Sequence, residues 1–344
     1  MRSVVIVVIA LIAGVLLTLA IGDNRFQIGG GSAIAPTGSG VLTHAGAEPT
    51  PASSLHDSTD ATTSSDWPRS GPSPEQVLYA QPRMVRDTLR RLTPRVTGTP
   101  NLYVLALAGD GGEDVFANEV EYASRLFAQR FGSTTHTVIL ENNPKSLSTR
   151  PLANWTNLDA MLEGLADVMH PEQDILLLYI TTHGDEDHNL LIDMDPLPLD
   201  QIGATDLAGI LRKHAFKWKV VVVNACYSGG FIPPLRGAGT LVLTSARADR
   251  SSFGCGSASD ITYFGKAWLV DGLNRTPDFI DAFQQAKHEI DSWERKDQLT
   301  ASEPQLSVGP GIAAQLALWR NGVTPGPAVS FKPATVEKAQ IAAQ

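Results

Sequence analysis

A cysteine and a histidine each follow a strongly apolar stretch, and these two residue types together can carry out acyl transfer. Cys226 ends the run VVVVNAC, and His183 ends the run ILLLYITTH, 43 residues earlier. A thiolate is a nucleophile, and a nearby imidazole supports it and protonates a leaving amine. A lone cysteine in a strand is usually an inert packed side chain. A catalytic pair therefore requires that the two residues meet in space.

The elements around these residues predict an α/β fold. Runs such as ILLLYI and VVVV are apolar at every position, which is typical of strands buried on both faces of a parallel sheet. Strand and helix patterns alternate, so we predict a doubly wound sheet with right-handed crossovers, in which ligands bind at the C-terminal strand ends. The predicted strands cover 102–108, 135–140, 174–184, 218–230 (a strand and then a turn) and 239–246. The predicted helices cover 115–131, 157–169 (capped by Thr156), 204–215, 263–273 and 277–295.

The residues next to the two candidates favour the same chemistry. Tyr-Ser-Gly-Gly follows Cys226, which predicts a tight turn and then a helix whose N-terminus favours the thiolate. If the two strands are neighbours, the backbone amides of Gly184 and Cys226 are placed to bind a tetrahedral oxyanion.

Composition excludes several other classes of protein. The chain has 344 residues, of which 43% are hydrophobic and 18% charged, so it is not disordered throughout. Its net charge of −9 argues against a general nucleic-acid binder. Two cysteines cannot build a disulfide framework or a cysteine-rich zinc site.

The N-terminal region predicts a membrane segment and a tether. Residues 4–21 form an uncharged run of 18 residues, about the length that crosses a bilayer, and Arg2 before it leaves the N-terminus in the cytoplasm. Residues 1–22 are thus an anchor or a signal sequence, although Ala20 and Gly22 make a poor cleavage site. Residues 23–75 are rich in Gly, Ser, Thr, Ala and Pro and predict a disordered linker. The folded domain is then 76–322, and 323–344 is a flexible tail.

At this point the sequence resembles a known family. The pair THG (182–184) and NACYSGG (224–230), each closing an apolar strand, is similar to the legumain-like cysteine peptidases. That family includes the asparaginyl endopeptidases and the catalytic subunit of GPI transamidase, and it has a caspase-like fold. The segments 106–123 and 243–255 also resemble it, with most similarity to a bacterial, membrane-anchored branch. The resemblance implies a caspase-like sheet and a cysteine endopeptidase that forms a thioester acyl-enzyme.

Carried over residue by residue, the resemblance implies His183 as catalytic histidine, Cys226 as nucleophile and Gly184 as an oxyanion-hole amide. It also implies substrate-binding roles for a polar residue before the cysteine and for three serines beyond it, namely Asn224, Ser245, Ser251 and Ser252. The acid and the arginine that read asparagine in legumain are replaced here by Asn224 and by Ala117 or Asn118, and a second acid by Lys266. Asparaginyl specificity is therefore in doubt.

Three further signals have simpler interpretations. His183, Asp185, Asp187 and His188 resemble a set of metal ligands, but their spacing matches neither a helical HExxH nor an EF-hand, so we interpret them as a solvated acidic loop. GDGGED (109–114) lacks the lysine of a phosphate-binding loop and is interpreted as a turn. Cys255 is interpreted as a packed thiol, although a disulfide with Cys226 would silence the nucleophile.

These observations predict a single-pass protein of the bacterial inner membrane whose domain faces the periplasm and cleaves polypeptides. No metal or organic cofactor is implied, no nucleic acid is expected as a partner, and no sequence feature indicates an oligomeric state. Three alternatives remain open: a transpeptidase or ligase that uses the same two residues, a non-catalytic membrane-tethered peptide-binding module, and a protein secreted after signal cleavage.

Overall fold

The computed structural model describes residues 67–333, which form helices on both sides of a central sheet. The strands are β1 (Leu102–Ala108), β2 (Thr135–Glu141), β3 (Ile175–Thr181), β4 (Asn189–Leu190), β5 (Ile202–Gly203), β6 (Trp218–Asn224), β7 (Thr240–Thr244) and β8 (Gln305–Val308). The helices are α1 (Pro74–Arg90), α2 (Asp114–Phe131), α3 (Trp155–Val168), α4 (Ala204–Lys213), α5 (Ile232–Leu235), α6 (Leu273–Arg275), α7 (Phe279–Lys296) and α8 (Ile312–Asn321).

The sheet has six strands in the order β2-β1-β3-β6-β7-β8. All neighbouring pairs are parallel except β7 and β8, which are antiparallel. β4 and β5 form a separate antiparallel pair. The prediction of a mostly parallel sheet flanked by helices is confirmed.

Both faces of the sheet are buried, as the apolar strand sequences predict. In β3, Leu177 and Tyr179 point into one core together with α2, α7 and α8, whereas Leu176 and Leu178 point into the other together with α3 and α4. This alternation means that residues paired across neighbouring strands face the same layer of helices.

Folded structure is present before the predicted domain boundary at residue 76. Trp67 packs beside Val77 and its indole N–H donates to the Pro72 carbonyl at 3.0 Å. Ser73 caps α1 through a reciprocal pair of hydrogen bonds with Gln76. The predicted linker of 23–75 is therefore wrong for 67–75, and the rest of it, like the predicted anchor of 1–22, lies outside the described residues.

The predicted flexible tail also differs from the structure. Residues 323–333 contain no helix or strand, yet the Tyr122 hydroxyl donates to the Val329 carbonyl at 2.8 Å, and the Arg130 guanidinium donates to the Gly326 carbonyl at 2.7 Å. The folded unit therefore continues beyond 322, and residues 334–344 lie outside the described range.

Three local predictions are corrected. Asn154, rather than Thr156, caps α3, because its side chain accepts from the Asn157 amide at 2.8 Å. The helix predicted over 263–273 is a π-helix over Gly265–Gly272. β8 is antiparallel and was not predicted. Between residues 67 and 333, no helix is both long and apolar enough to span a bilayer.

Candidate active site

The register of the sheet brings His183 and Cys226 to the same edge. β3 and β6 are parallel neighbours, and Thr181 lies opposite Asn224 at the point where both strands end. The Thr182 amide donates to the Asn224 carbonyl at 3.2 Å, so the alignment continues past the strands. His183 and Cys226 are each two positions further on, on chains about 4.8 Å apart. Because side chains alternate between the two faces of a sheet, both residues belong to the face that α2 covers.

Gly184 lies directly against the backbone of Cys226. A β-carbon at position 184 would lie 2.3 Å from the Cys226 carbonyl oxygen, so only glycine permits this approach. Between residues 67 and 333, neither the Gly184 amide nor the Cys226 amide donates a hydrogen bond to another residue. Both N–H groups are therefore available to a ligand beside the thiol.

An aspartate and a phenylalanine fix the imidazole of His183. The Nε2 atom lies 3.5 Å from the Asp110 Oδ2 atom, and Phe116 meets the imidazole edge-on with ring centroids 5.1 Å apart. Asp110 is 6% exposed, and its other carboxylate oxygen accepts from the Gly112 amide at 2.8 Å. Sequence reasoning missed Asp110; the available signal was an acid just after β1, the strand beside β3.

The thiol of Cys226 lies in a setting that favours the thiolate. Its pKa is lowered to about 5, first by a hydrogen bond with the Cys255 thiol and then by the Ser252 amide and the hydroxyls of Ser252 and Ser251, against the opposing effect of burial. The Ser252 amide nitrogen is 3.3 Å from the sulfur. The pKa of Cys255 is raised, because a proton shared by the pair stays on that thiol. Cys255 therefore influences the titration of the nucleophile, and its side chain also packs against the core.

The turn after Cys226 differs from the prediction. Tyr227 has a left-handed backbone with φ of 56°, and its amide donates to the Arg250 carbonyl at 2.7 Å. Only a single 3₁₀ turn over Ser228–Phe231 and the four-residue α5 follow. The thiolate is therefore stabilised by the loop that contains Ser252 and Cys255, and not by the N-terminus of a helix.

The segment that contains this site matches a known family. Residues 156–314 match the Peptidase C13 family. The matched segment is therefore similar to the domain that defines this family. The legumain-like resemblance seen in the sequence is confirmed. The matched segment contains His183, Gly184, Cys226 and the 251–255 loop, whereas β1, α2 and Asp110 precede it.

A similar solved structure is caspase-1 from Spodoptera frugiperda, with a TM-score of 0.43 and 13% sequence identity; the match covers 62% of this chain and 88% of that chain. No curated protein matches the chain. The match to the Peptidase C13 family supports cysteine peptidase activity.

Two of the four predicted substrate-binding residues lie beside the thiol. The Ser252 hydroxyl is 3.7 Å from the Cys226 sulfur, and Ser251 is exposed on the same loop. Ser245 is 1% exposed, and its hydroxyl holds the backbone before the nucleophile, accepting from the Ala225 amide at 3.0 Å and donating to the Ala225 carbonyl at 2.9 Å. Ser245 is therefore a support for the backbone, and its predicted substrate role is wrong.

Asn224 is also internal. It is 2% exposed, and its side-chain amide donates to the Glu119 carboxylate at 2.9 Å and to the Thr262 hydroxyl at 2.9 Å. The side chain points into the core beneath the site instead of into a substrate cleft. The predicted substrate-binding role of Asn224 is thus contradicted by its burial.

The acidic loop after His183 has a structural role at His188. A β-carbon at Gly230 would lie 2.2 Å from the His188 ring, and the Nδ1 atom is 3.1 Å from the Tyr227 carbonyl oxygen. Asp185 accepts from the Asn189 amide at 2.8 Å, which closes the loop on itself. Over residues 67–333, no group of three or more His, Cys, Asp or Glu side chains is arranged to hold a metal ion.

Proposed function

We propose that this protein is a cysteine endopeptidase that hydrolyses peptide bonds through a thioester on Cys226, with His183 as acid and base. The observation that carries the proposal is the register of β3 and β6, which aligns the two residues at one sheet edge beside two free amides. The lowered pKa of Cys226 supports the nucleophilic role, because the reactive form is the thiolate. The Peptidase C13 match supports the same activity.

The proposed reaction has two stages. The Cys226 sulfur attacks the carbonyl carbon of the substrate, and the Gly184 and Cys226 amides donate to the oxyanion that forms. The C–N bond then breaks as the His183 imidazolium gives its proton to the leaving amine, which leaves the acyl group on sulfur. In the second stage His183 takes a proton from water, the hydroxide attacks the thioester, and the C–S bond breaks to release the carboxylic acid and restore the thiolate.

The test is cleavage of a peptide library by the full-length protein in detergent, read by mass spectrometry. We expect Cys226→Ala and His183→Ala each to abolish cleavage while their melting temperatures stay close to that of the wild type. His288→Ala, a change at an exposed histidine of α7, is the control and should cleave normally. Full activity in either of the first two variants would exclude the mechanism.

The location remains part of the proposal. The uncharged run at residues 4–21 supports a membrane anchor with the domain on the periplasmic side, where it would meet polypeptide substrates. The test is fractionation of a bacterial host, with external protease added to spheroplasts. Digestion of the domain in intact spheroplasts supports the topology, and a soluble product shortened by the length of the run would contradict it.

A further inference from the structure

A fully buried glutamate lies beneath the candidate active site. Glu119 is 0% exposed on α2, one helical turn after Phe116, the residue that packs against His183. Between residues 67 and 333, no Lys, Arg or His side chain forms an ion pair with it. A buried carboxylate without a cation is costly unless hydrogen bonds compensate for its lost hydration. The cost of burying this carboxylate indicates that it has a role beyond packing.

The carboxylate accepts hydrogen bonds from three different parts of the fold. The Tyr179 hydroxyl donates at 2.7 Å and the Asn224 side-chain amide at 2.9 Å, both to Oε2, while the Thr262 backbone amide donates to Oε1 at 2.8 Å. The pKa of Tyr179 is raised well above its ordinary value by burial and by Glu119, so its hydroxyl keeps the proton that it donates. Glu119 thus acts as the acceptor of all three.

Each of the three donors lies in the same segment of the chain as a residue of the site. Tyr179 in β3 lies four positions before His183, and Asn224 at the end of β6 lies two positions before Cys226. Thr262 ends the loop that contains Ser252 and Cys255. Gly265 permits this contact, because a β-carbon there would lie 2.3 Å from the Glu119 carboxylate. One side chain therefore joins the three segments that hold the imidazole, the nucleophile and the partners of the thiolate.

We propose that Glu119 is a positioning residue for the peptidase site: its buried carboxylate holds the ends of β3 and β6 and the 251–262 loop in the spacing that the reaction requires. The inference rests on the proposed function. Glu119 is not a catalytic residue, because it acts through Tyr179, Asn224 and Thr262 and does not touch the reacting atoms.

The test is Glu119→Gln in the full-length protein, which keeps the shape of the side chain but removes its charge and puts a donor where an acceptor is needed. The matched control is Glu294→Gln. Glu294 is 2% exposed and accepts from the Ser302 amide at 3.1 Å, and within residues 67–333 it forms no hydrogen bond or ion pair with His183 or Cys226. We expect kcat to fall at least tenfold in Glu119→Gln with little change in KM, and the pH midpoint for alkylation of Cys226 by iodoacetamide to shift. The control should show neither effect.

Tyr179→Phe keeps the proposal testable if Glu119→Gln does not fold. It removes one donor and retains the ring, which stacks on Trp268 with centroids 6.1 Å apart. We expect a smaller loss of kcat, several-fold, with a measurable shift in the alkylation midpoint. A lower melting temperature with kcat and the alkylation profile unchanged, or equal changes in Glu294→Gln, would overturn the positioning role. Alkylation does not depend on peptide cleavage, so a chain without peptidase activity is recognised separately by a wild type that alkylates but never cleaves.

Discussion

The α-carbon of Gly184 and the carbonyl oxygen of Cys226 are so close that a β-carbon on the glycine would be 2.3 Å from that oxygen. Real β-carbons do not make such contacts, so any side chain at 184 must push the ends of β3 and β6 apart. The contact thereby links the residue after the histidine to the nucleophile itself.

Gly184→Ala should therefore lower both stability and activity. We expect a loss of about 1–3 kcal/mol in the free energy of unfolding, because the backbone must shift to relieve the overlap. Peptide cleavage should fall below detection, since both oxyanion amides move. Denaturant unfolding and steady-state kinetics measure the two effects. Gly237→Ala, at a loop glycine with open space around it, should leave both unchanged, and a Gly184→Ala protein with normal kcat would contradict the amide assignment.

The thiolate of Cys226 should persist into acid solution. Its pKa is lowered to about 5, so the rate of alkylation should be high at neutral pH and fall as the pH drops through that value. Because the Cys255 thiol is the first cause of the lowered pKa, Cys255→Ala should move the midpoint upward, toward the ordinary thiol value of about 8.5. Cys255→Ser retains a hydroxyl donor and should move it less. An unchanged midpoint in Cys255→Ala would show that the two thiols do not interact.

Asp110→Asn should slow catalysis without weakening substrate binding. The carboxylate lies 3.5 Å from the His183 Nε2 atom, where it orients the ring and stabilises the imidazolium that forms during the reaction. We expect kcat to fall roughly 10- to 100-fold with KM nearly constant, as for the loss of support to a general acid–base residue.

The control for this variant is Asp159→Asn. Asp159 also contacts a histidine, His214, at 3.1 Å, but far from the sheet edge that carries the site. Its kcat should match that of the wild type. Equal losses in both variants would mean that the effect of Asp110 is a general loss of structure.

Ser245→Ala separates a supporting role from a substrate-binding role. Its hydroxyl is buried and bonded to both backbone groups of Ala225, so its loss leaves a buried amide without a partner. We expect destabilisation of about 1–3 kcal/mol by denaturant unfolding, with KM for peptides unchanged. Ser257→Ala, at an exposed serine, should change stability by less than about 0.5 kcal/mol. A raised KM with normal stability in Ser245→Ala would restore the substrate-binding interpretation.

The sequence allowed the sheet and its two chemical residues to be predicted, because apolar runs mark the strands and His183 and Cys226 directly follow them. It did not reveal which way the neighbouring polar side chains point. Asn224 lies two positions before the nucleophile and Ser245 directly follows β7. Their partners, Glu119 and Ala225, are identified only by the packing of α2 and the turn. A polar residue near a strand end has no sequence signal that distinguishes a ligand contact from a buried support.

Other misses have similar physical causes. The residues of β8 are only half-buried and partly polar, so QLSV lacks the apolar signal of the parallel strands. The π-helix over Gly265–Gly272 has the same apolar composition as an ordinary helix and differs from it only in hydrogen-bond spacing. No sequence signal indicates that Cys255 affects the nucleophile, because its distance from Cys226 depends on the path of the loop between them.

The order of strands in the sheet limits how far this enzyme can be shortened. β1 lies between β2 and β3, and both β1 and β2 precede the residues that match the Peptidase C13 family. A fragment of residues 156–314 alone would leave β3 with an unpaired, wholly apolar edge, a ready template for aggregation, and would also lack Asp110. Truncation at the family boundary would therefore yield insoluble protein, and a soluble enzyme requires the upstream strands.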